Sequence, residues 1–191
     1  MKSVVYWGCI VLLGLMFGFG SALAVLKNRQ LSGGISVGPW HTGASYGSKD
    51  ADMYTRARVA LYGLLALDRK ETMYYVAAED SDGAPLAGNC TYRVEGKDLA
   101  ARWWSITAYG ADSFLIPNDA GIYSYSKTTL KPEADGGYVI RVSADRQEGN
   151  WLPVKAGQEF DLTARFYNPE PSVYENPAGA ELPRIVKEGC K

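Results

Sequence analysis

The chain has 191 residues, of which 47% are hydrophobic and 21% are charged, a balance that excludes an intrinsically disordered chain. The first 29 residues carry three basic residues and no acidic one, so the other 162 carry 17 basic against 21 acidic residues and a net charge of −4. A mildly acidic domain without a basic stripe excludes the electrostatic pattern of a nucleic-acid-binding protein.

An uninterrupted apolar segment covers residues 4–26, which are 23 residues without a charge. A helix of this length spans roughly 30 Å of hydrocarbon, and it has no polar face of the kind that a helix on a soluble core shows. Tyr6 and Trp7 lie near one end, where amphipathic rings favour the membrane interface. We therefore predict that residues 1–27 form a transmembrane anchor in the lipid bilayer.

The orientation of this anchor is not given by its flanking charges, because basic residues lie on both sides of it. A large folded domain with two cysteines suited to a disulfide follows, so we expect a single-pass protein of the inner membrane with its domain in the periplasm. The triplet Ala22-Leu23-Ala24 fits a signal peptidase site, which makes a cleaved signal peptide the alternative. The apolar run before it exceeds the usual signal core and favours the anchor.

Within the apolar segment, Gly14 and Gly18 form a GxxxG spacing. Small residues at this spacing let two membrane helices approach closely, which predicts contact with the helix of a membrane-protein partner. The alternative is that glycine is simply frequent in membrane helices.

A segment rich in Gly and Ser, residues 28–49, has no regular period and predicts a linker that becomes ordered near Pro39-Trp40. Residues 50–68 then predict a helix that is capped by Asp50 or Asp52. Its apolar side predicts packing against a sheet and consists of Ala57, Val59, Ala60, Leu61, Leu64, Leu65 and Leu67.

The rest of the chain carries the pattern of β-strands, with short aromatic or β-branched stretches separated by Gly, Asn, Asp and Pro turns. The predicted strands are residues 72–78, 91–94, 103–109, 123–126, 137–143 and 159–167. Such spacing is typical of a sandwich or a jelly roll. Residues 50–191 are therefore predicted as one domain, in which residues 168–191 run along the surface.

Three segments in this order, DSDGAPLAGNCTYRVEG, ARWWSITAYGADSFLIPN and GNWLPVKAGQEFDLTARFYNPEP, resemble the uncharacterised bacterial domain-of-unknown-function family 1214. The resemblance covers residues 54 to 191, here in a short, membrane-anchored form. It implies a mainly β fold, a jelly-roll-like antiparallel β-sandwich, which is often found beside a second uncharacterised domain in longer proteins. It implies no activity, because the family has no established catalytic residues to transfer.

The cysteines of the predicted domain, Cys90 and Cys190, form an even pair that predicts one disulfide in an oxidising compartment, with two unrelated thiols as the alternative. The single histidine, His41, has no GxSxG partner and cannot form a site of several histidines, so we expect a structural role. Asp80 and Asp82 lie in the sequence DSDG, which predicts a hairpin turn or, alternatively, a weak calcium site.

Aromatic residues are the remaining candidates for function. Neighbouring strand residues face opposite sides, so one of Trp103 and Trp104 is expected in the core while the other can line a groove together with Trp151. Arg102 and Arg165 lie in or beside predicted strands, where they can form ion pairs or hold an anion. No catalytic residue, metal ligand or cofactor site is predicted, because no P-loop, dinucleotide-binding, CxxC or HExxH motif is present.

Three functions are compatible with these features. The first is a non-enzymatic accessory or interaction protein that is held beside a membrane partner. The second is a binding module for a sugar, a lipid or another envelope component, which the aromatic content favours. The third is a hydrolase with an unrecognised carboxylate site, which no converging group of residues supports.

Overall fold

The computed structural model describes residues 2–27, 34–43, 48–49, 51–61 and 67–191. Its elements in chain order are α1 (Lys2–Lys27), β1 (Gly34–Val37), β2 (Trp40–Gly43), α2 (Met53–Leu61), β3 (Thr72–Ala77), β4 (Cys90–Gly96), β5 (Ala101–Gly110), β6 (Ser124–Ser126), β7 (Tyr138–Ser143), β8 (Asn150–Pro153), β9 (Phe160–Pro169), α3 (Pro171–Tyr174), a short 3₁₀ helix (Pro177–Gly179) and β10 (Arg184–Cys190).

The strands form two sheets, which confirms the predicted mainly β fold. The larger sheet has six strands in the order β1-β2-β3-β9-β5-β6, and all of its neighbouring strands are antiparallel. The smaller sheet has four strands in the order β10-β4-β7-β8. In it β7 and β8 run parallel, which differs from the predicted all-antiparallel arrangement.

The parallel pair is fixed by one buried side chain, Asn150, at the start of β8. Its amide nitrogen donates to the carbonyls of Lys131 and Val139, at 2.9 Å and 3.0 Å, and its carbonyl oxygen accepts from the backbone amide of Lys131. Asn150 is therefore held beside Ile140, where β8 begins alongside β7. These bonds satisfy a buried polar group, which is the condition for placing it in a core.

The two sheets pack face to face around one apolar core. Tyr92 of β4 meets Phe160 of β9 with ring centroids 5.8 Å apart, and Trp104 of β5 meets Tyr138 of β7 at 5.1 Å. These pairs join the sheets, so the domain is a β-sandwich. Each fully buried aliphatic side chain in this core, such as Ile106, contributes about 1.5–3 kcal/mol by its removal from water.

The first helix, α1, is apolar on all sides and is exposed from residue 3 to residue 21, whereas Ala22, Val25 and Leu26 are partly buried. Residues Ser3–Leu26 are long and apolar enough to cross a membrane, a criterion that a signal sequence near the N-terminus can also meet. Among the described residues this is the one helix with these properties. The helix is thus a candidate membrane span.

The predicted linker, residues 28–49, contains the hairpin of β1 and β2, which lies where an ordered segment was expected near Pro39-Trp40 but begins earlier, at Gly34. Trp40 is fully buried and its indole N–H donates to the carbonyl of Pro183 at 2.7 Å. His41 pairs with Val76 and joins the hairpin to the larger sheet. A tryptophan whose N–H finds a partner can bury its whole ring, and this burial fixes the hairpin. Residues 28–33 and 44–47 lie outside the described residues.

Within the predicted helix, residues 50–68, the structure has α2 (Met53–Leu61), and residues 67 and 68 are not helical. Asp52 caps it, because its carboxylate accepts hydrogen bonds from the amides of Tyr54 and Thr55 and from the hydroxyl of Thr55. Leu61 and Leu67 are exposed, so the predicted packing against a sheet is not seen at these two positions. The alternative cap Asp50 and the predicted apolar positions Leu64 and Leu65 lie outside the described residues.

The predicted surface tail, residues 168–191, is mostly exposed, but its second half contains the edge strand β10, which was not predicted. Ile185 is fully buried, its backbone amide donates to the hydroxyl oxygen of Ser81 at 2.9 Å, and its carbonyl accepts a hydrogen bond from the backbone amide of Ser81 at 2.8 Å. A strand with one buried side chain has a weak sequence signal, so its pairing with β4 and the Ser81 turn decides its conformation.

Candidate functional site

The outer face of the six-stranded sheet brings together the most distinctive group of side chains in the domain. Inward-pointing residues of β3, β5 and β9 fill the core, so the alternate residues point away from it. These outward residues, here called the outer face, are Thr72, Tyr74 and Val76 on β3, Asp161, Thr163, Arg165 and Tyr167 on β9, and Trp103, Ser105, Thr107 and Tyr109 on β5.

Strand register places these residues in rows across the sheet. One row contains Tyr74, Arg165 and Ser105, and its neighbour contains Tyr167 and Trp103. Adjacent rows on one face are separated by two residues, or about 7 Å along a strand. Arg165 is therefore the centre of the outer face.

The guanidinium of Arg165 is held by two hydroxyl groups from β5. Its Nη1 donates to the hydroxyl of Thr107 at 2.9 Å, and its Nη2 donates to the hydroxyl of Tyr109. The central guanidinium carbon lies 5.2 Å from the ring centroid of Tyr109 and 6.0 Å from that of Tyr74. Cation–π attraction and the two hydrogen bonds together fix the orientation of the group.

The pKa of Tyr74 is changed by its burial and by the groups around it. Burial raises the pKa of its phenol, and the neighbouring Tyr167 and Tyr109 raise it further, whereas the positive charge of Arg165 lowers it. The net direction is upward, so Tyr74 stays a neutral phenol beside the arginine at physiological pH.

Arg165 has no carboxylate partner among the residues that the structure describes. The salt bridges found there involve Arg93, Lys127, Lys187 and Lys191. The acidic residue on the same strand and face, Asp161, lies four residues from Arg165. A guanidinium carries more N–H donors than its two hydroxyl bonds use, so the group can still bind a carboxylate or phosphate.

Apolar and aromatic side chains lie at both ends of the outer face. At one end, the rings of Trp103 and Tyr167 are 5.3 Å apart, and Tyr167 is 36% exposed. At the other end, Leu115 pairs with Tyr109 and is 44% exposed, and its neighbour Phe114 is 73% exposed. Exposed rings thus lie at the two ends of the outer face, whereas Tyr74, Ser105 and Thr107 between them are buried.

The turn that presents Phe114 is built by local hydrogen bonds. The amide of Phe114 donates to the carboxylate of Asp112 at 3.0 Å, and its carbonyl accepts the amide of Gly110 at 2.9 Å. Ser113 takes a φ of 66°, a left-handed conformation that few residues other than glycine adopt. The exposed ring of Phe114 is thus held on an ordered turn.

Of the three tryptophans considered for a groove, Trp104 is the one that lies in the core: it is 1% exposed, and its indole N–H donates to the carboxylate of Asp98 at 2.7 Å. Trp103 and Trp151 do not share a groove. Trp103 lies on the outer face, as the alternation of β5 requires. Trp151 lies on β8 of the other sheet, donates to the carbonyl of Ser143 at 3.0 Å, and faces the opposite side of the sandwich.

The predicted disulfide between Cys90 and Cys190 is confirmed. The two cysteines lie directly opposite each other in the pairing of β4 and β10. Gly14 and Gly18 lie on the exposed surface of α1, and a methyl group at either position would have no neighbour within 4 Å. Their contact with a partner helix remains a prediction.

The other polar candidates have local partners. The Nδ1 of His41 lies 2.9 Å from the hydroxyl of Ser36. The carboxylate of Asp80 accepts the amides of Asp82 and Ala84 and lies 3.4 Å from the ammonium of Lys187. These partners fit the hairpin-turn interpretation. In the described part of the chain, no group of three or more His, Cys, Asp or Glu residues is placed to hold a metal ion.

The pKa of Asp80 is the result of opposing effects. Burial of the carboxylate raises it, but the hydrogen bonds from Ala84 and Asp82 and the charge of Lys187 together outweigh burial. The pKa is therefore lowered, and the group stays ionised in the folded protein.

Arg165 was predicted from the sequence as a candidate for anion binding, but the side chains that surround it were not predicted. The sequence shows directly that Ser105, Thr107 and Tyr109 share one face of a strand. It shows the same for Thr163 and Arg165 on another strand. The register that brings Arg165 beside Thr107 and Tyr109 depends on pairing between residues about 60 positions apart, which no local pattern gives.

A family model with the description "Protein of unknown function (DUF1214)" matches residues 71–171. The structure is similar to that of the VPA0106 protein from Vibrio parahaemolyticus, with 28% sequence identity and a TM-score of 0.60 over 72% of this chain and 35% of that one. An uncharacterized protein from Burkholderia cenocepacia matches with 14% identity and a TM-score of 0.44 over 92% of this chain and 50% of that one. The chain thus spans half or less of these two proteins. Among curated proteins no match is found.

Proposed function

The chain belongs to the DUF1214 family, and we propose that it is a membrane-anchored interaction protein whose β-sandwich binds a partner on the outer side of the inner membrane. The observation that carries this proposal is the outer face, where Arg165 is held between tyrosine rings without a carboxylate partner among the described residues. Trp, Tyr and Arg are the residue types that dominate binding energy at protein interfaces. A partner would meet this face chiefly at its two ends, where the rings of Tyr167 and Phe114 are exposed.

Two further features support the location. The apolar helix α1 has its side chains exposed, which is costly in water and favourable in lipid. The disulfide between Cys90 and Cys190 is of a kind that persists in oxidising compartments such as the periplasm. We propose accordingly that α1 remains attached as an anchor and that the domain lies in the periplasm.

The anchor is tested by fractionation. We expect the full chain to stay in the membrane pellet after alkaline carbonate extraction, and the domain to be digested by protease added to spheroplasts. Release of a shortened chain that starts near Ala24 would show a cleaved signal peptide and would contradict the anchor.

The interaction is tested by purification from native membranes in mild detergent with a C-terminal tag, followed by identification of proteins present in near-equal amount. If α1 contributes through Gly14 and Gly18, replacing both with Leu should release the partner. The matched control is Gly20→Leu, which lies on another side of the helix and should retain the partner. Purification of the chain alone under all conditions would contradict the proposal.

A second candidate function is the binding of a small envelope ligand, which the aromatic pair of Trp103 and Tyr167 favours. Since Trp103 is partly exposed and Trp104 is buried, a ligand on this pair should quench the fluorescence of Trp103. Titration of the wild type and of Trp103→Phe with sugars and lipids tests this function. Equal quenching of both proteins would place the ligand elsewhere.

A further inference from the structure

We propose that the helix α2 lies on the membrane surface beside the anchor α1, with one apolar side in the boundary between lipid headgroups and acyl chains. This inference rests on the proposed membrane anchor and adds a second contact between the protein and the bilayer. The side concerned, here called the α2 apolar face, consists of Met53, Tyr54, Ala57 and Leu61.

The first argument is the pattern of residues along α2. Met53, Ala57 and Leu61 are spaced four residues apart, so they lie on one side of the helix. Tyr54 shares this side because it lies seven residues before Leu61. Met53 is 76% exposed and Leu61 is 66% exposed, whereas the polar Thr55, on the opposite side, is 7% exposed. A helix on a water-soluble domain shows the reverse pattern, so the α2 apolar face is suited to apolar surroundings outside the domain.

The second argument is the position of α2 beside the anchor. Cα atoms of α2 lie within 8 Å of Cα atoms of α1. The partly buried side chains in the described part of α1 are Ala22, Val25 and Leu26, all near its C-terminal end. In a helix that crosses the bilayer over Ser3–Leu26, this end lies at the membrane surface on the side of the domain. The contact therefore places α2 at the level of the lipid headgroups.

The third argument is the short connection between the anchor and the sandwich. The helix α1 ends at Lys27 and β1 begins at Gly34, so six residues separate them. Fully extended, this connection spans at most about 25 Å. The domain is thus held close to the bilayer, which is the apolar phase within reach of an apolar face beside α1.

The residue types of the α2 apolar face fit this boundary. Tyr54 is 43% exposed, and its amphipathic ring is of a kind that is enriched where membrane and water meet. Arg56, three residues after Met53, is exposed at the edge of the face, where its charge can stay among lipid phosphates. A helix in this boundary buries its apolar side by roughly 5–10 Å, a depth that the side chains of Met53 and Leu61 can fill.

The test uses the full chain with its disulfide intact, reconstituted in vesicles of phosphatidylethanolamine and phosphatidylglycerol. Cys9→Ser removes the free cysteine, and Met53→Cys or Leu61→Cys introduces one cysteine for a polarity-sensitive dye. We expect blue-shifted dye emission at both positions. We also expect quenching of about twofold or more by a lipid that carries a nitroxide near its headgroup, and little quenching by aqueous iodide.

The matched control is Phe114→Cys, since Phe114 is an apolar residue that is 73% exposed. Its turn follows Gly110, at the end of the larger sheet where β1 and β2 are joined. The chain enters this sheet from the anchor at the other end of β1, at Gly34. A dye at position 114 should therefore emit as it does in water and should resist the lipid quencher.

A second set of variants tests whether the apolar character of the face causes the contact. With the dye at Tyr54→Cys, combining Met53→Ser and Leu61→Ser should reduce quenching by the nitroxide lipid by about twofold or more. Combining Met53→Leu and Leu61→Met exchanges two apolar side chains and should retain the quenching. Thermal unfolding of each variant shows whether its fold is retained. Equal quenching of the two double variants would contradict the proposed role of the apolar face.

Dyes at positions 53 and 61 that emit as in water and escape the lipid quencher would overturn the inference, as would equal quenching at position 114. Signals at positions 53 and 61 that disappear when the protein is diluted with excess lipid would assign the face to a second copy of the chain instead. Flotation of the chain with the vesicles judges the anchor separately. A chain that floats while both dyes stay in water leaves the proposed anchor standing, whereas the surface contact of α2 fails.

Discussion

Reduction of the disulfide between Cys90 and Cys190 is expected to lower the free energy of unfolding substantially without changing the fold. The bond joins residues 100 positions apart, so it restricts the unfolded chain over more than half of its length. In the folded protein, Cys190 lies at the end of β10, where reduction leaves the strand pairing with β4 in place. The effect should therefore come chiefly from the unfolded state.

The magnitude follows from the closed loop. For a loop of 100 residues the chain-entropy relation gives about 4.7 kcal/mol at 25 °C, and removal of native disulfides typically costs about 2–5 kcal/mol. Urea unfolding of a small domain has a slope of about 1–3 kcal/mol per molar, so a loss of this size lowers the urea midpoint by about 2 M.

The assay is urea unfolding of the full chain in detergent, followed by tryptophan fluorescence, for oxidised protein and for the Cys90→Ser, Cys190→Ser double variant. Trp104 reports on unfolding because it lies in the core between the sheets. Cys9→Ser is the matched control, since Cys9 is a free cysteine outside the sandwich. It should leave the midpoint unchanged.

Equal midpoints of the oxidised protein and the double variant would refute the reasoning. They would mean that the unfolded chain gains no freedom when the bond is absent, or that β10 does not contribute to the cooperative unit. Retention of the fold in the double variant is expected from the burial of Ile185 and its two hydrogen bonds with Ser81.

Three more predictions concern single side chains. Burial raises the pKa of Tyr75 from 10.0 to about 12. The stabilisation that its neutral phenol gives the folded protein is therefore complete below pH 10 and is lost as the pH rises through about 12. Unfolding at alkaline pH should show a decrease in the free energy of unfolding of up to about 3 kcal/mol, which the Tyr75→Phe variant lacks. The pKa of Asp80 is lowered in the folded protein, so the stabilisation by its ionised carboxylate is present above pH 3.8 and is lost as the pH falls through this lowered pKa. The Asp80→Asn variant should lower the free energy of unfolding by about 1–3 kcal/mol at pH 7, measured in urea, because Lys187 loses its charged partner. The stability of this variant should also depend less on pH in the acidic range. Gly88→Ala would place a methyl carbon 2.0 Å from a backbone carbonyl oxygen and should lower stability by about 1–3 kcal/mol or more, whereas Gly189→Ala meets no atom within 4 Å and should be tolerated in the same assay.

Local chemistry was the part of the fold that the sequence predicted well. The cap by Asp52, the turn at Asp80 and the opposite faces of Trp103 and Trp104 each follow from one residue type and its immediate neighbours. The mainly β character and the family also follow from strand-sized patterns. These features depend on interactions within a few residues, which a sequence shows directly.

Elements whose stability comes from distant partners were missed. The hairpin of β1 and β2 is held by Trp40, whose indole N–H bonds to Pro183, 143 residues away. The strand β10 is held by Ser81 and Cys90, which lie about 100 residues earlier. Neither segment has a strong strand pattern of its own, because tertiary contacts rather than propensity decide its conformation.

The position of Arg165 gives the recognition hypothesis its structural basis. It lies on β9, which is hydrogen-bonded to β3 on one side and to β5 on the other, in the middle of the larger sheet. Below it the inward residues Ala164 and Phe166 are fully buried, so the backbone of β9 is fixed from inside the core. A side chain on such a strand keeps its place with little loss of entropy on binding, which a residue on an edge strand or a loop does not. The core of the sandwich therefore determines the geometry of the outer face, and substitutions beneath it should change binding even where they touch no ligand.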